Sequence, residues 1–133
     1  MAASGGAIYL DSSALVKLVL REPESDALGA ELGRFAAHVT SVIGAIELQR
    51  AVRRAGLPPA QAEAVLARVG LVALDESVRE QAMLIGDPLL RTLDAIHLAT
   101  AISIAGELDG FACYDTRLAG EAARAGLTVL APA

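Results

Sequence analysis

Four acids, Asp11, Glu47, Asp94 and Asp115, fall where an acid is not expected. Asp11 closes the apolar run Ala7-Ile8-Tyr9-Leu10 and is followed by Ser12-Ser13. Asp115 repeats the arrangement, after Phe111-Ala112-Cys113-Tyr114 and before Thr116. Asp94 lies near the start of an apolar stretch, on one helical line with Leu98, Ala101 and Ile102. Glu47 shares a helical line with Ile43, Ala51 and Ala55. Acids on otherwise apolar lines point inward, where a carboxylate needs a partner. A ligand set made of carboxylate oxygens suits Mg2+ or Mn2+ rather than zinc, which prefers His and Cys. Such an ion makes a bound water nucleophilic and can stabilise both oxygens of an in-line displacement at phosphorus.

Each acid also has a local reading. Asp11 and Asp115 are suited to cap the helices that follow them. The neighbouring hydroxyls of Ser12, Ser13 and Thr116 could cap instead, which leaves the two acids for a metal. Asp94 in a first turn is favoured by the helix dipole. Glu47 could pair with Arg50 at i+3. Asp75 also ends an apolar run, but Ser77 comes too late to cap a helix starting at Glu76, so Asp75 is read as the cap. His97, one turn after Asp94, is a ligand, a proton shuttle or a packed core histidine. Cys113 reads as a small buried hydrophobe in mid-strand. Arg50, Arg53 and Arg54 form a solvated face that can also touch RNA.

The elements that must position these acids alternate in type. Short apolar runs predict strands over 7–10, 38–41, 71–74, 110–114 and 128–130. Periodicity, prolines and closing glycines predict helices over 13–20, 25–37, 43–55, 60–69, 76–85, 92–105 and 117–125. Strands alternating with helices imply a mainly parallel sheet covered on both faces. In such sheets ligands bind outside the carboxyl ends of the strands, where Asp11 and Asp115 fall. If those two strands are adjacent, two carboxylates meet, and a divalent cation would relieve the repulsion.

Composition narrows the classes. A chain of 133 residues with 54% hydrophobic content is read as a single domain, 1–133, with ample core material. Aromatics are only 3%, which disfavours a reader of single strands built on stacking rings. One cysteine allows no internal disulfide. Residues 1–6 lack the pattern of a secretory leader, and no apolar run reaches membrane-spanning length, so a cytoplasmic location without membrane partners is expected. A net charge of −5 is unlike a non-specific nucleic-acid binder, so metal and local arginines would have to meet any phosphate. Ten of the eleven basic residues are Arg, with Lys17 the exception. The first strand–helix turn, Asp11-Ser12-Ser13, is no glycine-rich phosphate loop. A lone early lysine disfavours a phosphotransfer receiver, and Ser13 stands where a haloacid-dehalogenase-like phosphatase needs a second Asp.

Taken together, four segments resemble the PIN domain and, within it, the VapC-type toxins of toxin–antitoxin pairs. They are 9–18 (Tyr-Leu-Asp-Ser-Ser-Ala-Leu-Val-Lys-Leu), Thr40-Ser41 leading to Glu47-Leu48, 93–101 (Leu-Asp-Ala-Ile-His-Leu-Ala-Thr-Ala), and Tyr114-Asp115-Thr116-Arg117-Leu118 with Ala122, Ala123 and Gly126. The resemblance spans essentially the whole chain. It implies a Rossmann-like three-layer α/β fold, with a five-stranded sheet and about seven helices. It also implies an endoribonuclease dependent on Mg2+ or Mn2+, with Asp11, Glu47, Asp94 and Asp115 as its acidic quartet and Ser13 as a supporting hydroxyl. A homodimer and a small inhibitory antitoxin are further implications. Some relatives carry another acid where Arg117 stands here. The competing expectation is a PIN-like module that binds RNA or a partner without cutting.

Overall fold

A computed structural model describes residues 5–133; residues 1–4, part of the stretch read for a leader, lie outside them. The chain runs β1 (Ala7–Leu10), α1 (Ser12–Lys17), α2 (Ser25–Leu32), β2 (Ala37–Ser41), α3 (Val42–Arg54), α4 (Pro59–Leu66) and β3 (Gly70–Val72). It continues through α5 (Glu76–Ala82), α6 (Thr92–Ser103), a 3-10 turn (Ala105–Glu107), β4 (Leu108–Ala112), α7 (Thr116–Arg124) and β5 (Val129–Leu130). The strand order is β3-β2-β1-β4-β5, and every pairing is parallel.

That order decides where the site lies. The chain winds outward from β1 to β2 and β3, then returns to the other side of β1 for β4 and β5. The switch point is therefore between β1 and β4, which pair with Leu10 opposite Ala112. A crevice opens at such a point because the connections leave in opposite directions. Asp11 and Asp115 both follow strands that end there.

Strand alternation divides the core between the two faces of the sheet. Ile8, Leu10 and Ala112 pack with Leu15, Leu28, Leu48 and Val52 on one face. Tyr9, Phe111 and Cys113 pack with Leu98, Leu118 and Ala122 on the other. Aliphatic residues supply most of this core, as the composition requires. The exception is the Tyr9–Phe111 stack, with ring centroids 5.2 Å apart.

Several boundaries differ from the sequence reading. The second helix ends at Leu32 rather than 37, because Gly33 closes it and Phe35 N–H turns back to the Leu32 carbonyl. The first helix ends at Lys17, and residues to Leu20 continue only as turns. The fifth helix stops at Ala82, and the third strand is Gly70–Val72 rather than 71–74. The fourth strand ends at Ala112, so Cys113 is not in mid-strand, although it is buried as expected. Cys113 N–H still donates to the Leu130 carbonyl of β5, and the chain then leaves the sheet as Tyr114 N–H donates to Ser13 Oγ instead of to a strand carbonyl.

Candidate active site

Three of the four acids line one open cavity of about 350 Å³ at the switch point: Asp11, Asp94 and Asp115, with Ser13, Lys17 and Arg91 around them. Asp11 is almost fully buried, as is Asp94 at the first turn of α6. Burial pushes the Asp11 carboxyl above the ordinary carboxylate range. Hydrogen bonds from Ser13 and Ala14 oppose that shift without cancelling it.

Of the capping alternatives at Asp11 and Asp115, the acids themselves take the caps and the neighbouring hydroxyls do not. Asp11 itself caps α1: its Oδ1 accepts from Ala14 N–H at 3.0 Å and from Ser13 Oγ at 2.6 Å. Asp115 caps α7 through Oδ1, which accepts from Leu118 N–H at 2.9 Å. Ser12 is already the first helical residue of α1, as Thr116 is of α7. Ser13 is occupied otherwise, since its hydroxyl donates to Asp11 and accepts the Tyr114 N–H. Capping and ligation are not alternatives, because a carboxylate has two oxygens and the cap uses one. Asp75 caps α5 as read, accepting from Val78 N–H at 2.8 Å.

Arg91, immediately before α6, was missed by the sequence reading. Its Nε donates to Asp94 Oδ2 at 3.1 Å and its Nη2 to Asp115 Oδ2 at 3.0 Å. One guanidinium thus spans two of the acids, with one charge-assisted bond to each. Asp94, first, and Asp115 raise the Arg91 pKa further. Lys17, also at the cavity, is held by Glu22 and Glu24 at 3.1 and 2.9 Å and lies 4.5 Å from the Tyr114 ring centroid.

Glu47 does not line this cavity. Its partner is not Arg50 but His97, whose Nε2 lies 2.6 Å from Glu47 Oε1. His97 is fully buried, so the packed-histidine reading holds, but the residue is also half of a polar chain. Its Nδ1 lies 2.6 Å from Tyr9 Oη, which accepts the Ser41 N–H at 3.1 Å. Burial raises the Tyr9 pKa well above its ordinary value, so the phenol keeps its proton. A phenol donating to Nδ1 leaves the imidazole proton on Nε2, facing Glu47. The link from Tyr9 to His97, and the neighbouring bond from Thr40 Oγ1 to the Leu10 carbonyl at 2.6 Å, were not singled out from the sequence. Local spacing could not have found them, because Tyr9 and His97 are 88 positions apart.

Gly44 lets α3 approach closely enough for this chain to form. A Cβ there would stand 2.3 Å from Thr40 Oγ1 and 3.3 Å from His97 Cε1. Thr40 is stiff and already bonded to Leu10, so it cannot yield cheaply. Gly44→Ala is expected to cost about 2 kcal/mol in urea unfolding, overpacking outweighing the gain in helix propensity. A variant as stable as the parent would mean that Thr40 and His97 relax without penalty.

The remaining candidates lie apart. Arg50, Arg53 and Arg54 are exposed on α3, Arg50 and Arg53 beside a separate groove with Ile46 and Leu57. Arg117 is exposed at the start of α7. Among the described residues, no three His, Cys, Asp or Glu side chains are set closely enough to hold an ion as they stand. Three carboxylates in one cavity, with a single guanidinium across two of them, form an all-oxygen cluster whose charge is only partly offset. Its donor chemistry matches a hard divalent cation, and the buried Asp11 gains from any nearby positive charge.

The model of the PIN domain family matches residues 8–119. The chain is 42% identical over 127 residues to Ribonuclease VapC46 of Mycobacterium tuberculosis, covering 95% of this chain and 98% of that one. Its fold matches the crystal structure of Mycobacterium tuberculosis VapC20, described as a sarcin-ricin loop cleaving toxin, with TM-score 0.73 and 16% identity over 94% of this chain and 99% of that one. It also matches a toxin–antitoxin complex from Klebsiella pneumoniae, with TM-score 0.70 and 19% identity over 95% of this chain and 98% of that one.

Proposed function

We propose, for a chain that belongs to the PIN domain family and within it to the VapC ribonucleases, that it is a metal-dependent endoribonuclease and the toxin of a toxin–antitoxin pair. The observation that carries this reading is the convergence of Asp11, Asp94 and Asp115 on one cavity at the β1/β4 switch point. Those three acids would hold Mg2+ or Mn2+, with Glu47 as an outer member of the set. The ion, when bound, supplies an activated water for in-line attack on the RNA phosphodiester and stabilises the departing oxygen.

The chain's own residues set up that chemistry. Ser13 fixes Asp11 through its hydroxyl and ties α1 to the segment after β4 through Tyr114 N–H. The caps at Asp11 and Asp115 fix one oxygen of each acid, so neither carboxylate turns freely. The Tyr9–His97 chain holds Glu47 near the site with one oxygen committed. Arg50, Arg53 and Arg54 serve as contacts along the RNA backbone, away from the cleavage point.

The fold forms one domain that works as a homodimer under an antitoxin. Met83, Leu84 and Leu89 stand largely exposed after α5, which supports a partner surface there. Among the described residues no helix is long and apolar enough to cross a membrane. The antitoxin reaches the acids with a basic side chain, since an acidic cavity is a natural receptor for Arg or Lys. If so, Mg2+ should compete with it; a complex indifferent to Mg2+ would place inhibition elsewhere.

The deciding experiment incubates purified protein with a pool of RNAs in Mg2+ or Mn2+, against EDTA, and maps the 5′ ends of the fragments. Metal-dependent cuts at defined positions are expected. RNA binding without cuts in either metal would leave a PIN-like binding module in place of an enzyme.

A further inference from the structure

We infer that Arg91 is a displaceable counter-ion: it bridges Asp94 and Asp115 as the structure shows it, and on metal binding it swings out to take a phosphate of the RNA. This inference rests on the metal-dependent reading above. It is carried by the two bonds from one guanidinium to Asp94 Oδ2 and Asp115 Oδ2, at 3.1 and 3.0 Å.

A cation held by Asp94 and Asp115 would compete for carboxylate lone pairs, some of which Nε–H and Nη2–H now occupy. Magnesium binds oxygen at about 2.0–2.1 Å with strict geometry, leaving no room for N–H groups pointing at the same lone pairs. Arginine and metal therefore compete for these acids, and two cations this close would also repel each other. The arginine can leave cheaply. Its side chain is 70% exposed, and the residue lies in extended backbone before α6, with φ −63° and ψ 148°. The acids cannot follow it, since Asp94 is buried in α6 and Asp115 is tied by its cap.

A released guanidinium lies at the mouth of the acid cavity. That is where an acidic chain of net charge −5 most needs a positive group for an anionic substrate. Lys17 is not an equivalent source, because Glu22 and Glu24 both hold it. One residue thus opposes metal binding and favours substrate binding, so its removal should move the two affinities in opposite directions. A merely structural arginine would weaken both.

The test titrates Mn2+ alone into the parent, Arg91→Gln and Arg91→Lys by calorimetry, and measures KM and kcat on an oligoribonucleotide at saturating Mn2+. Arg91→Gln should bind Mn2+ about fivefold more tightly, the scale of a partly exposed ion pair. It should raise KM about tenfold with kcat within about twofold, and lower the slope of log affinity on log salt by about 1, as expected for one lost phosphate contact. Arg91→Lys, which keeps the charge but loses the fork, should fall between the two. Mn2+ binding that is unchanged or weaker in Arg91→Gln, with the parent still binding, overturns this inference alone. If no variant binds Mn2+, the metal-dependent reading fails and takes the inference with it.

Discussion

Asp11→Asn is expected to lower RNA cleavage by at least about a hundredfold, since a metal ligand should matter no less than the outer groups that orient one, while leaving the protein as stable or more so. The two halves of this result have separate causes. Asparagine has a carbonyl oxygen that can accept from Ser13 Oγ and Ala14 N–H as the native Oδ1 does, so the cap on α1 survives. What is lost is the charge. In the metal-free protein that charge is a burden, because burial holds the Asp11 carboxyl above its ordinary range. With the folded pKa above the unfolded one, the contribution to stability is fully present below the unfolded value. It is lost as pH rises through the folded value. At neutral pH in EDTA, Asp11→Asn should therefore melt at or a few degrees above the parent, roughly 2–4 °C. Added Mn2+ should raise the melting temperature of the parent and leave the variant unchanged, because only a native state that binds the ion gains from it. Cleavage persisting in Asp11→Asn would place the active centre elsewhere. A variant that melts well below the parent would mean that Asp11 is held for its cap alone.

His97→Ala is expected to be the most destabilising single change near the site, at about 3 kcal/mol. The imidazole is fully buried, so its removal opens a cavity. It also strips a partner from two groups at once. Tyr9 Oη loses its acceptor inside the core, and Glu47 Oε1 loses its donor. A buried phenol O–H left without an acceptor costs more than the bond it made, even though Oη still accepts the Ser41 N–H. Under conditions where the variant remains folded, cleavage should still fall, because Glu47 is no longer held. His97→Gln, whose amide can donate toward Glu47, should recover part of the rate. Urea unfolding and cleavage at matched folded fraction separate the two effects. A variant that loses stability but keeps the parental kcat would show that Glu47 finds its place without the histidine.

These outcomes turn on features that differ in how far the sequence disclosed them. The layered fold was legible because it is written in local terms. Apolar runs of strand length alternate with helical periodicity, and burial on both faces leaves Ile8, Tyr9 and Leu10 continuously apolar. The acids were legible for a related reason. Asp11 and Asp115 interrupt apolar runs at their carboxyl ends, and Asp94 lies on a buried helical line, so each announces itself against its neighbours. Element ends were less legible. β4 stops at Ala112, and two residues on a hydroxyl from Ser13, 101 positions away, takes the Tyr114 N–H.

By itself, then, the sequence determined which residues are buried, which elements they form, and which acids stand at the ends of strands. The tertiary structure decided what those acids touch. It put β1 beside β4, so that Asp11 and Asp115 share a cavity. It sent Glu47 to His97, 50 positions on, and laid Arg91 across Asp94 and Asp115. It also showed that the same acid can cap a helix with one oxygen and face the site with its remaining capacity. Burial and periodicity depend on near neighbours and survive in a linear reading. Charge compensation and hydrogen-bond partnership are settled only when distant segments pack, because each buried polar group takes the partner that packing brings within reach.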